Sequence, residues 1–449
     1  MAEQSSDITK GVVITGVGIV SPLGIGRSSF SENLAAGRSG IRRSELQSFT
    51  GVPGHVGGEV SEFDEKSAKK QWLKSERKWV KVMCREIQLG VASALQAVGD
   101  AGVSTDSMQA DRIGVEFGAN LMLTPPDQLI DPVFKAAATE PEPHFIYEKW
   151  GQNGENTGQP SGMGSMEPLW LLKYLPNMPA CHISISVGAR GPSNSITMDE
   201  ASGNSVLGEA VRIIARGDAD VMISGTCGAR FNPMQSLHAA LWDELAHEDG
   251  PPETWCRPFD KDSTGQVIGE GAATLILENA EHAASRNASI LGEILGFGSS
   301  CVADRDGKPQ PRRALAHAMR AAMRDAGVEP NQIGHINAHG LGSRAVDREE
   351  ALAIHDVFGS EAAKVPVTAM KSRLGNAGPG CGTLELTASL LSLNQGVVPV
   401  TLNFRVSDPE CPLNIVHGEP LPTDNRLFLK TNVTRVGQAT AVVVRAASA

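Results

Sequence analysis

Short β-branched runs alternate with helical periodicity along this chain, and near Ile290 the alternation starts again. In the first half strands are expected at Val12 to Thr15, Ile113 to Phe117, Ile183 to Val187, Val221 to Ser224 and Ala273 to Leu277. Helices are expected near 79–101 and 202–216. The second half predicts strands at Ile290 to Leu295, Ile333 to Ala338 and Val365 to Thr368, with helices at 312–325, 346–357 and 383–394. Closing strands fall near Leu427 and at Ala441 to Val444. Strands separated by helices imply largely parallel sheets covered on both faces. The pattern predicts an α/β protein built in two passes, although no internal sequence repeat is strong enough to prove a duplication. At 449 residues the chain is long enough for two domain-sized units and a sizeable core.

Residues 124–165 interrupt the alternation with a Pro-, Gly-, Glu- and Gln-rich stretch, the composition of a surface loop or lid. The seven cysteines are scattered and include no CxxC pair, which argues against a disulfide framework and against zinc. No apolar run reaches the length of a membrane span. Met1 to Asp7 lacks the basic and apolar regions of a signal peptide, so a cytoplasmic location is the expectation. Neither a cofactor nor a metal is expected.

The most informative local segment runs Gly191-Pro192-Ser193-Asn194-Ser195-Ile196-Thr197-Met198-Asp199-Glu200-Ala201-Ser202-Gly203. An apolar run precedes it, and Val206, Leu207, Ala210, Val211 and Ile214 follow at helical spacing until Gly217. Strand, turn and helix in succession hold the turn residue at a helix N-terminus, where negative charge is favoured. A thiolate there would be activated for attack. This chain has Glu200 instead, and a carboxylate cannot form a thioester.

Further blocks accompany that frame. They are Val12 to Gly24, Arg190-Gly191-Pro192-Ser193, Gly217 to Met222, Arg257-Pro258-Phe259-Asp260-Lys261-Asp262 and Gly269-Glu270-Gly271-Ala272. Asn337-Ala338-His339-Gly340, Lys371-Ser372, a glycine-rich loop and Glu385 complete the series. Over roughly residues 10 to 447 the sequence resembles the β-ketoacyl-(acyl carrier protein) synthases, condensing enzymes of the thiolase fold. The resemblance implies duplicated βαβαβαββ halves in an α-β-α-β-α layering, divided here as 10–285 and 286–449. It also implies a cysteine nucleophile, two donors that stabilise an enolate, and a gating phenylalanine. Those positions correspond to Glu200 for the cysteine, His339 and Asn376 for the donors, and Arg435 for the phenylalanine. Lys371, Asp347 and Glu385 match the supporting charged residues. Asparagine can donate to an oxyanion as histidine does, so Glu200 is the decisive departure. Arg435 is expected to pair with it, since burying one charge alone costs about 3–5 kcal/mol.

Lys66, Lys69, Lys70, Lys74, Arg77, Lys78, Lys81 and Arg85 form a basic stretch in a chain of net charge −11. It reads either as a solvated helix face or as a dock for an acidic acyl carrier protein, which the resemblance implies as a partner. Nucleic acid is disfavoured by the acidity and the few aromatics. His335 and His339 have the spacing of a helical metal pair but sit in a strand-like run. Gly375 to Gly382 lacks the ending of a phosphate-binding loop, and Cys381 within it is a candidate displaced nucleophile. Three functions follow from the resemblance: a chain-length-factor-like subunit paired with a cysteine-bearing synthase, a malonyl-carrier-protein decarboxylase using His339 and Asn376, or a silent acyl-binding homodimer.

Overall fold

The computed structural model describes residues 11–45, 55–138, 141–151 and 161–448. Its backbone makes two passes through one plan. The first runs β1 (Val12–Ser21), α1 (Arg85–Ala101), β2 (Ile113–Gly118), α2 (Met178–Val187), β3 (Ser193–Ile196), α3 (Ser202–Ala215), β4 (Val221–Ala229) and β5 (Glu270–Asn279). The second runs β6 (Gly292–Cys301), α4 (Pro311–Ala326), β7 (His335–Asn337), α5 (Arg344–Phe358), β8 (Pro366–Thr368), α6 (Cys381–Asn394), β9 (Leu427–Val433) and β10 (Gln438–Ala446).

Strands of the first pass lie in the order β3–β2–β4–β5–β1, and those of the second in the matching order β8–β7–β9–β10–β6. Directions match too. The first three strands of each series are mutually parallel, and the last two pairings are antiparallel. Shared order and direction establish the duplication that sequence comparison of the halves leaves open. The two sheets meet where Val12, Val13 and Ile14 pair with Ile294, Glu293 and Gly292.

One apolar core joins residues of β1, β5, β9 and β10 to α3 and α6, which lie between the sheets. A second core packs α1 on the outer face of the first sheet, and a third packs α4 and α5 on the second. This is the α-β-α-β-α layering of the thiolase-like fold. Every residue from Cys381 to Leu393 is buried, as a helix covered on all sides must be. The inner helices touch at their first turns, where a Cβ on Gly203 would stand 2.6 Å from the Gly382 Cα. That contact requires glycine, and it brings the residues preceding both helices together.

Ile183 to Val187 corrects one expectation. Its alternating apolar and polar residues read as a strand, but they form the end of α2, closed by Gly188 at φ 75°. Packing of Ala180 and Ile183 into the outer core overrides β-propensity, and the strand before the site is the shorter β3. The helix predicted from residue 79 begins at Arg85, after a 3₁₀ turn at Val80–Val82. The 124–165 stretch contains a helix at Ile130–Lys135 and a two-residue ladder joining Ala137–Ala138 to His144–Phe145. Its positions 139–140 and 152–160, like Met1 to Asp7, lie outside the described residues.

Glu116 on β2 is fully buried, and neither carboxyl oxygen has a hydrogen-bond partner among the described residues. Burial, with the charge of Glu209, raises its carboxyl from 4.5 to about 7. The unfolded chain ionises first, so stability held at low pH is lost as pH rises from 4.5 through about 7. Glu116→Gln is therefore expected to gain about 1–2 kcal/mol at pH 8 relative to its effect at pH 4, measured by denaturant titration at both values. A pH-independent effect of the substitution would refute this account.

Candidate functional site

Between β3 and α3 the chain turns through Asp199, at φ 47°, into a short 3₁₀ segment Asp199–Ala201. The turn presents Glu200, 6% exposed, to a cavity of about 240 Å³. His339 and Arg435 line the same cavity. The glycine contact between the inner helices explains the convergence, because Asn376 belongs to the loop leading into α6 as Glu200 belongs to the turn leading into α3.

Glu200 Oε1 accepts from Asn376 Nδ2 at 2.9 Å and from Arg230 Nη1 at 3.2 Å. Arg230 also pairs with Asp243, and burial that opposes its charge is outweighed by Glu200, Asp199 and Asp243. Asn376 donates its other amide hydrogen to Gln266 Oε1 at 2.7 Å, so both donors are committed. Asp199, 3.1 Å from Asn120 Nδ2, is raised to about 7 by burial and by the Glu200 charge, with Arg230 acting the other way. Glu86, at the start of α1, lines the cavity and is also raised to about 7 by burial.

Arg435 is not the partner of Glu200. It is exposed, with its guanidinium 5.6 Å over the Trp242 ring. Arg230, directly after β4, fills the expected role. The physical reason is reach and burial: the residue that ends a central strand faces the turn, whereas Arg435 stands at the cavity rim. Arg435→Phe should accordingly change stability by no more than about 1 kcal/mol, with no rescue from adding Glu200→Gln. Paired thermal melts check this, and a large loss that the second change repairs would refute it.

His339 is buried, and its ring is held well below the usual histidine value by burial and then by the charges of Lys371 and Lys430. Lys371 Nζ and Asn432 Nδ2 lie 3.3 and 3.4 Å from Nδ1. Two donors at Nδ1 assign the proton of the neutral ring to Nε2. Lys371 in turn pairs with Glu385 at 2.7 Å, and Lys430 pairs with the other Glu385 oxygen at 2.7 Å. Burial pushes the Glu385 carboxyl up, but the two lysines outweigh it and hold it below its ordinary value. Glu350 accepts from the His339 and Gly340 backbone, both at 2.8 Å. Asp347 accepts from Phe259, Leu341 and Gly342 backbone groups, so it fixes the loop after His339 and does not touch the ring.

Cys381 is buried, its Sγ lies 3.2 Å from Asn376 Oδ1, and burial pushes the thiol up to about 12. A thiol in that state is inert as a nucleophile. All seven cysteines are free. His335 bonds Thr368 at 2.8 Å and stacks on Phe428, within β7 and not on a helix. Lys66, Lys70, Lys74, Arg77, Lys78 and Lys81 are exposed, Lys69 is half-buried and paired with Glu65, and Trp79 stands among them. Arg85 departs from that set, turning inward to Glu270 and to the carbonyls of Phe63 and Val60. The stretch forms short turns and not one helical face.

Arg230, Lys430, Glu350 and Gln266 were not legible as site residues. Lys430 alone carries a signal, a lysine in the otherwise uncharged, wholly buried strand β9.

The chain matches the family described as Beta-ketoacyl synthase, N-terminal domain, over residues 9–283, and its C-terminal domain over 291–405. It is 34% identical to the 3-oxoacyl-[acyl-carrier-protein] synthase 2 of Coxiella burnetii (strain RSA 493 / Nine Mile phase I), over 91% of this chain and 92% of the relative. Among solved structures, the ishigamide ketosynthase/chain length factor superposes with a TM-score of 0.81 at 28% identity, over 98% of this chain and 100% of the other. A type II polyketide synthase ketosynthase, solved in complex with its acyl-carrier protein, gives a TM-score of 0.79 at 26% identity, over 98% and 100%. Among the described residues no helix is long and apolar enough to cross a membrane. Family matches across both halves and a relative aligned nearly end to end make this chain a member of the β-ketoacyl synthase family.

Proposed function

We propose that the chain is a non-condensing synthase homologue that serves as a chain-length-factor-like partner of a cysteine-bearing synthase. Glu200 carries this reading. Its carboxylate stands at the helix tip that the family resemblance assigns to sulfur, and it cannot hold an acyl group as a thioester. Its contact with Asn376 adds support, since an asparagine that spends one amide hydrogen on Glu200 and the other on Gln266 has none left for an enolate. The outer edge of β3, whose strand pairs only with β2 among the described residues, offers backbone groups to a second subunit. Ile185, on the adjoining α2, is 66% exposed. The exposed lysines of 66–81 suit an acidic carrier protein, whose binding should weaken on the order of tenfold at low salt in a Lys70→Glu/Lys74→Glu variant.

Decarboxylation of malonyl-carrier protein is the second reading, favoured by the neutral His339 with its proton on Nε2. The committed Asn376 and the negative charge of Glu200 oppose it. Two measurements test the proposal. Incubation with radiolabelled acyl-carrier protein, followed by a denaturing gel, should leave no label on the chain. Co-expression with a cysteine-bearing synthase should yield a stable one-to-one complex. A labelled band, or a chain that assembles only with itself, refutes it. Release of acetyl-carrier protein that is lost in His339→Ala supports the second reading instead.

A further inference from the structure

Arg373 shares a short helix with Lys371 but does not line the cavity at Glu200. It is the largest side chain among those fully buried, 1% exposed, and no carboxylate pairs with it among the described residues. Three backbone carbonyls accept from it: Val400 O at 3.3 Å, Leu34 O at 3.3 Å and Arg38 O at 3.1 Å. Those bonds use Nε and Nη1. Nη2 has no acceptor among the described residues. Arg373 lines a cavity of about 200 Å³ that shares no lining residue with the cavity at Glu200.

That cavity lies between the helix Arg27–Ala35, the end of α6 and the loop around Pro420. Leu34, Leu391 and Val400 supply apolar wall, Ser392 a hydroxyl, and Glu419 stands exposed at the rim. A guanidinium is a planar fork suited to a carboxylate, and an unpaired one in a low-dielectric wall attracts an anion strongly. Burial alone pushes Arg373 down to about 10, consistent with a charge that lacks an opposite neighbour. The rim carboxylate disfavours ligands of higher negative charge, and the apolar wall favours a short hydrocarbon body. We propose that this cavity is a binding site for a small monocarboxylate, its carboxylate on Arg373 Nη2 and its short apolar body against Leu34, Leu391 and Val400. The site is independent of the acyl-transfer reading.

Butyrate tests the proposal on the full chain, by calorimetric titration and thermal melting at ionic strength held constant with chloride. Saturable binding is expected in the millimolar range, with inorganic phosphate binding at least tenfold more weakly. Arg373→Met should abolish butyrate binding. Because that variant alters the wall that Arg373 supports, Ser392→Leu, which fills the cavity and keeps the guanidinium, provides the second arm. It should weaken butyrate at least tenfold while its melting temperature without ligand stays near that of the parent. No saturable butyrate binding, phosphate binding as tightly as butyrate, or undiminished binding in Ser392→Leu would each overturn the assignment.

Discussion

Replacing Glu385 with glutamine should cost about 3–5 kcal/mol, because it leaves two ammonium groups buried with no counter-charge between them. Glu385 is bonded at 2.7 Å to Lys371 through one oxygen and at 2.7 Å to Lys430 through the other. All three side chains are within 1% of complete burial. Lys430→Met is the informative contrast. It keeps the balanced Lys371–Glu385 pair, and it loses the Lys430–Glu385 bond together with Lys430 bonds to carbonyls such as Thr431 O at 2.7 Å. Its cost should be much smaller, about 1–2 kcal/mol. The pH dependence follows from the lysine that burial disfavours. Lys430 already titrates below its ordinary value, by burial set against Glu385 and with Lys371 acting in the same direction as burial. In Glu385→Gln the restraint by Glu385 disappears, so the unfolded chain holds a proton that the folded chain releases. Stability of the variant should therefore recover as pH rises toward the usual lysine value of 10.5. Denaturant titrations of both variants at pH 7 and pH 9 check this. Equal losses in the two, or no recovery, would show that the three charges do not act as a unit.

The same residues mark how far sequence reasoning reaches. Strand and helix order was legible because buried parallel strands and covering helices impose periodicities of two and 3.6 on the apolar residues. Ile183 to Val187 defeated that logic, since its serine–isoleucine alternation fits a strand while three-residue spacing from Ala180 to Ile183 anchors a helix. The duplication became visible only in strand order, because two halves can share a plan without sharing residues. His339, Asn376, Lys371 and Glu385 stand out in the sequence through ordered motifs, and the structure links Lys371 to His339 and Glu385 and Asn376 to Glu200. Arg230 was not, since nothing in Gly228-Ala229-Arg230-Phe231 marks an arginine bound to a carboxylate 30 positions away. Pairing Glu200 with Arg435 rested on a correct principle, that a buried charge needs its partner, applied to the wrong arginine. Sequence spacing does not encode which of two loops reaches inward.

If the chain is non-condensing as proposed, a single substitution should give the site covalent chemistry. Glu200→Cys is expected to acquire an acyl group from acyl-carrier protein, going from no detectable adduct to a substantial fraction of the chain. Cysteine at this helix tip would sit beside Arg230, whose positive charge and the helix N-terminus both favour the thiolate. Removing the carboxylate frees one amide hydrogen of Asn376 from its 2.9 Å bond, and the Nε2 proton of neutral His339 supplies a second donor toward a developing oxyanion. The thiolate attacks the thioester carbonyl, a new carbon–sulfur bond forms, and the carrier leaves as its thiol after taking a proton. Arg230 would lose one of its carboxylates but keep Asp243, so the fold should tolerate the change. Intact-mass spectrometry reads the result, with Glu200→Cys/Cys381→Ser as the control that assigns the adduct to position 200. An adduct on the parent chain would show that another nucleophile acts and that the non-condensing reading is wrong. Failure of Glu200→Cys to react, in a folded variant, would mean that the cavity beside Arg230 does not admit an acyl thioester, so that the cavity's shape as much as the residue at position 200 would account for the proposed non-condensing role.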